Sequence, residues 1–157
     1  MNIKLILVGK TEDKYLLEGI EIFEKRLKNY INYEQIIIPQ LKETKNLSPQ
    51  IIKDKEGELI LKHIVKYDKI ILFDEKGEEF TSMDYSVFLQ KQMNAGVKNL
   101  CFVVGGAFGF SEEVYRLADK KIALSKMTFS HQMIRLFIVE QLYRAFSILK
   151  NEPYHNQ

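Results

Sequence analysis

The sequence predicts an α/β fold with a mostly parallel sheet and flanking helices. Two observations carry this. Short apolar runs alternate with longer amphipathic stretches about five times from end to end. The centre of "DKIILFD" and the whole of "LCFVV" are also apolar without a break, which suits strands covered on both faces.

In chain order, "IKLILVG" (3 to 9) is the first predicted strand. A helix follows over about 13 to 30, with Leu16, Leu17, Ile20, Phe23 and Leu27 three or four apart. "YEQIIIP" (33 to 39) is the second strand, ended by Pro39, which has no donor for a ladder. Ser48 followed by Pro49 places a cap and a first-turn proline at the start of the next helix, which runs through "DKEGELILKHIV". Gly57 inside that helix costs about 1 kcal/mol against alanine, so another backbone is expected to approach it closely. "DKIILFD" (68 to 74) is the third strand, after which "EKGEEFTS" is expected to turn the chain into a helix over about 83 to 94. "LCFVV" (100 to 104) is the fourth strand and runs into "GGAFGFSEEV". A short helix from Ser111 to about Ala118, a fifth strand "KIALS", the connection "KMTFSH" and one long helix over about 131 to 149 complete the series.

At 157 residues and 46% hydrophobic, the chain supports one sizeable core, so a single domain over 1–157 is expected. The net charge of +2 neither demands nor excludes a polyanionic partner. From Lys120 onward six basic residues (Lys120, Lys121, Lys126, Arg135, Arg144, Lys150) face only Glu140 and Glu152, so attraction for a phosphate backbone should concentrate there. Cys101 is alone and the three histidines are scattered, which argues against a disulfide or a structural zinc site and for the cytoplasm. No apolar stretch approaches the roughly 20 residues that span a bilayer.

Ligands of an open parallel sheet bind beyond the carboxyl ends of its strands, which selects three loops: after Phe73, from Gly105, and from Leu124 to Phe129. Gly105, Gly106 and Gly109 are spaced one and three apart, matching neither G-x-G-x-x-G nor a P-loop. The helix they feed begins Ser111, Glu112, Glu113, acids that would repel a pyrophosphate. A turn that merely relieves steric strain, or one that lets backbone approach a ligand, both remain. The loop "LSKMTFSHQMIR" mixes Met127 and Phe129 with Ser125, Thr128 and Ser130, a lining for an adenosine-like ligand or, equally, two core residues and a helix cap. In the last helix Ile134, Phe137, Ile138, Leu142, Phe146 and Leu149 form an apolar stripe for core or dimer contact, and Glu140 can pair with Arg144. The tail "NEPYHNQ" holds Tyr154 and His155 behind Pro153.

"IKLILVGK", "DKEGELIL", "FVVGGAFGF" and "LSKMTFSHQMIRLFIVEQLYRAFSILKNEPYH" together resemble the RlmH family of bacterial SPOUT-class enzymes, which methylate N3 of a pseudouridine in large-subunit (23S) ribosomal RNA. The similarity spans essentially the whole chain. It implies an α/β fold with a C-terminal trefoil knot, a homodimer with sites near the subunit interface, S-adenosyl-L-methionine as methyl donor, and no metal. Carried over residue by residue, the cofactor-binding set is Phe73, Gly105, Leu124, Ser125, Lys126, Met127, Thr128 and Phe129, on the three loops already selected. The family usually has leucine at Phe73 and proline at Ser130, which changes packing and loop stiffness but removes no group needed for chemistry.

The acceptor N3 is an imide nitrogen that must lose its proton at or before transfer. The catalytic candidates are Tyr154 and His155 in the tail and His131 at the start of the last helix; Arg135 and Arg144 are candidate contacts to RNA phosphates. The alternative within the resemblance is a ribosome- or RNA-binding SPOUT-like module without catalysis. A receiver-like domain built on Asp74, Glu75 and Glu78 leaves the C-terminal block unexplained.

Overall fold

The computed structural model describes residues 1–155. Five strands, β1 (Asn2–Val8), β2 (Asn32–Ile38), β3 (Lys69–Glu79), β4 (Asn99–Val104) and β5 (Lys120–Ala123), form one sheet in the order β2-β1-β4-β3-β5, with every pairing parallel. The helices are α1 (Lys14–Leu27), α2 (Pro49–Ile64), α3 (Ser82–Asn94), α4 (Glu112–Leu117) and α5 (Met133–Leu149), and a short 3-10 turn lies at Thr44–Asn46.

Alternation along the strands divides the core in two, because successive side chains point to opposite faces. Ile3, Leu5 and Leu7 of β1 face one way with Phe102 and Val104 of β4, and are covered by α1, α3 and α5. Ile6 and Val8 face the other way with Cys101 and Val103, and are covered by α2 and α4. A strand apolar on every residue is thus required in the centre, and β4 is buried from Leu100 to Val104.

Hydroxyl caps set three helix starts, the one at Ser48 as the sequence implies. Ser48 accepts from the Ile51 amide, Thr81 from Asp84 and Ser111 from Val114, each satisfying a donor that the first turn leaves free. Gly57 is needed where α2 meets α4: a Cβ there would collide with the side chain of Ser111. The close neighbour is therefore that capping side chain, where the sequence led us to expect backbone.

Two expectations are corrected. β3 does not end at residue 74. It shifts register between Phe73 and Glu78 and pairs again with β5, through Glu78 opposite Ile122 and Glu79 opposite Ala123. The cause is Gly77, where a Cβ would stand 2.6 Å from the backbone nitrogen and carbonyl carbon of Ile122, so only glycine lets the strands meet again. The stripe of α5 is also rotated from the one expected: Ile138, Val139, Leu142, Ala145 and Phe146 are buried, whereas Phe137 is exposed.

Candidate functional site

A cavity of about 580 Å³ opens at the carboxyl ends of β4 and β5, beside the stretch of β3 after Phe73 where its register shifts. The size suits a small-molecule ligand, for which roughly 300 to 1,000 Å³ is usual. Its walls come from the three loops selected by strand position. Phe73, Gly105, Leu124, Ser125, Met127, Thr128 and Phe129 all line it, and His131 closes one side. Lys126 lies in the same loop, exposed, without lining the cavity.

The glycine turn is held by its own backbone. Gly106 and Gly109 form an antiparallel bridge, the Gly109 amide donates to the Gly106 carbonyl at 3.2 Å, and Gly109 has φ +81°. That φ favours a residue without a side chain. Beneath the turn lies Glu56 of α2, only 6% exposed, whose carboxyl occupies the place a Cβ on Gly106 would need. Its Oε2 has no hydrogen-bond partner among the described residues, and burial raises its pKa above the ordinary carboxylate range. A phosphate loop is not what these glycines build, since Ser111 already caps α4 and Glu112 lines the cavity.

The opposite rim is acidic. Asp74 accepts from the Tyr115 hydroxyl and from the Lys76 amide, and Glu75 accepts from the Thr128 hydroxyl at 3.0 Å. The bond from Thr128 to Glu75 ties the stretch of β3 at its register shift to the loop after β5 across the mouth. The Tyr115 phenol is pushed well above its ordinary value, first by burial and then by Asp74, so it stands as a donor. Cys101 is buried, its thiol pushed up to about 12 by burial, which leaves it no nucleophilic role. Among the described residues no three His, Cys, Asp or Glu side chains come together as a metal-binding group.

A family model described as "Predicted SPOUT methyltransferase" matches residues 1–155. The chain belongs to the SPOUT methyltransferase family. Its relatives include proteins named Ribosomal RNA large subunit methyltransferase H from Christiangramia forsetii, 58% identical over the whole of both chains, and from Parabacteroides distasonis, 55% identical over the same span. Two solved structures share the fold at low identity. A protein from Neisseria gonorrhoeae described as "putative methylase family protein" matches with TM-score 0.55 at 14% identity, covering 99% of this chain and 86% of that one. A protein from Bordetella pertussis described as "Probable Methyltransferase" matches with TM-score 0.56 at 8% identity, covering 92% and 96%. The α/β sheet with flanking helices is the SPOUT methyltransferase fold.

The remaining candidates lie differently from expectation. Arg135 is completely buried, so it is not a phosphate contact in this SPOUT chain: its guanidinium is spent on Val8, Gly9 and His131 carbonyls and the Thr11 hydroxyl. Arg144 donates to Glu140 at 2.6 and 3.0 Å and lies 4.6 Å from the Tyr154 ring centroid. With Lys120 paired to Glu78, the basic excess expected after residue 120 shrinks to Lys121, Lys126 and Lys150 among the described residues. The tail is likewise clasped within its own chain. The Tyr154 hydroxyl donates to Glu140 at 3.0 Å, its ring packs 4.6 Å from that of Tyr143, and the Tyr30 hydroxyl donates to Glu152. Burial first, then Glu140, raises the Tyr154 pKa, so the phenol is not a proton acceptor in this arrangement. Neither Tyr154 nor His155 lines the cavity of its own chain, and His155 Nδ1 is buried without a partner among the described residues.

His131 alone of the catalytic candidates reaches the cavity. Burial and then the Arg135 charge hold its pKa below the ordinary histidine value, with Glu12 opposing. The ring is therefore neutral near pH 7 and able to accept a proton. Sequence reasoning missed Glu56, Gly77 and the pairing of Tyr115 with Asp74.

Proposed function

We propose that this chain, acting as one domain over 1–157, is an S-adenosylmethionine-dependent methyltransferase of large-subunit (23S) ribosomal RNA, acting on N3 of a pseudouridine in the assembled ribosome. The observation that carries the reading is the convergence of Phe73, Gly105 and the loop from Leu124 to Phe129 on one cavity, in a chain similar over its full length to proteins named for large-subunit ribosomal RNA methylation.

The cavity fits the donor by its chemistry. Phe73, Leu124 and Phe129 offer apolar walls to a nucleoside, the glycine turn presents backbone with no side chain in the way, and the carboxylates of Asp74 and Glu75 face a ligand that carries positive charge. When bound, the donor supplies a methyl group made electrophilic by its sulfonium. Phe73 and the loop residues 124, 125 and 127–129 would hold and orient it, with Lys126, exposed in the same loop, contributing through its backbone. His131, neutral at the cavity wall, takes the N3 proton as N3 receives the methyl group, then releases that proton to water.

The homodimer belongs to the same proposal. Met127, 76% exposed, and the exposed rings of Phe108 and Phe137 leave apolar surface around the cavity mouth and the adjoining face of α5. A second copy there would bring its own Tyr154 and His155 to a cavity that lacks them. The trefoil knot rests on the family resemblance, and a cytoplasmic setting follows from a ribosomal substrate.

The deciding measurement is transfer of labelled methyl from S-adenosylmethionine to ribosomes lacking the modification. Incorporation at one pseudouridine is expected, with donor binding by calorimetry. Ribosome binding indifferent to the donor, with no incorporation, would instead make the chain a binding module.

A further inference from the structure

Arg135 is the largest completely buried side chain of the molecule and carries a charge. Its acceptors are all neutral: the His131 carbonyl at 2.9 Å, the Gly9 carbonyl and Thr11 hydroxyl each at 3.0 Å, and the Val8 carbonyl at 2.7 Å. No carboxylate pairs with it among the described residues. A buried charge with no counter-ion is expensive, and an apolar side chain of similar volume would commonly fill such a space at less cost. What an apolar side chain lacks is the fork, which here joins two segments more than 120 positions apart in sequence.

Those segments are the turn leaving β1 and the entry to α5. Gln132 joins them a second time: its Oε1 accepts from the Glu12 amide at 3.1 Å and its Nε2 donates to the Lys10 carbonyl at 3.0 Å. Between the two fasteners, the peptide of His131 is bound directly by Arg135.

We propose that Arg135 is a positioning residue for methyl transfer, locking His131 and the exit of the loop from Leu124 to Ser130 onto the carbonyl end of β1. The inference rests on the methyltransferase reading above. It assigns this arginine an internal role in place of a contact with RNA. The fork fixes where the imidazole stands, and its charge disfavours a second proton on the ring. The other charged groups around His131 are Glu12, from the β1 turn, and across the cavity Asp74, Glu75 and Lys76 at the register shift of β3, Lys53 of α2 and Glu112 of α4.

The test is the nuclear magnetic resonance titration of His131 in the folded protein, alongside methyl transfer as a function of pH, for the unaltered chain, Arg135→Gln and Arg135→Lys. With glutamine the His131 midpoint should rise, and the acid limb of kcat should move to higher pH with it. With lysine the charge stays and the fork is lost, so the midpoint should remain low while kcat falls about tenfold and the donor KM stays within about twofold, as expected for misplacement of a catalytic group. The lysine variant decides the matter if the glutamine variant does not fold: unaltered kcat overturns the proposal, as does a His131 midpoint common to the unaltered chain and the glutamine variant. Absence of methyl transfer by the unaltered chain would instead count against the methyltransferase reading, and the titration would still test the clamp.

Discussion

The cavity at the strand ends and the clasp around the tail are built from different materials. Around the cavity the decisive groups are backbone and glycine: a bridge between Gly106 and Gly109, a Gly77 that lets β3 meet β5 again, and loops whose anchors are strand termini. Around the tail they are long side chains, with Tyr30, Tyr143, Arg144 and Glu140 enclosing Tyr154 and Glu152. A backbone-built site is fixed once the sheet forms. A side-chain clasp can open at the cost of a few exchanged hydrogen bonds, each worth about 1 kcal/mol net.

The sharpest way to break this contrast is Gly77→Ala. The added Cβ meets immobile backbone of Ile122 on the neighbouring strand, so β5 and the loop that follows it must shift. We expect a loss of about 3 kcal/mol in urea unfolding, at the upper end of overpacking costs, with donor affinity falling and the tail contacts unaffected. Unchanged stability would mean that the bulge is adaptable and that the cavity is not fixed by backbone.

Removing the chain from Pro153 onward tests the other region. Donor affinity measured by calorimetry should be preserved, while methyl transfer should fall about a hundredfold, the scale of a lost proton-transfer or positioning group. Full activity of the truncated chain would end any role for Tyr154 and His155.

The smallest effect is expected beneath the glycine turn, with Glu56→Gln. The folded state raises the pKa of this acid above its ordinary value near 4.5, so it binds the proton more tightly than the unfolded chain does. Stability therefore falls as pH rises from about 4.5 through the folded value. A glutamine escapes that loss, and its melting temperature should exceed that of the unaltered protein near neutral pH by the equivalent of about 1 kcal/mol, with the advantage vanishing in acid. A difference independent of pH would show that Glu56 supports Gly106 by shape alone.

The same contrast explains what could be read from the sequence. Strand alternation and the rule that ligands sit beyond strand carboxyl ends select the loops at Phe73, Gly105 and Leu124 with no knowledge of side-chain packing, and these loops line the cavity. Arg135 was misread because its chemistry outweighed its position. It stands three, four and seven residues before Ile138, Val139 and Leu142, on the buried stripe of α5. Glu56 gave a similar signal, spaced four residues from both Ile52 and Ile60 on the buried face of α2. A charged residue on an apolar stripe is a buried polar group in need of partners, and those partners lie on distant segments that periodicity does not reveal. Gly77 was legible as a turn but not as a bulge, since the close approach depends on which strand becomes the neighbour of β3.

The sheet order also has a consequence in time. β5 is the last strand made and lies at the edge, pairing only with β3, which was made some forty residues earlier. Sheet and both cores can begin to form from β1 to β4, but such long-range closures are slow. The ligand pocket needs residues 122 to 134 as well, and one core needs α5 beyond them, so a nascent chain can pair its first four strands before it can hold a ligand.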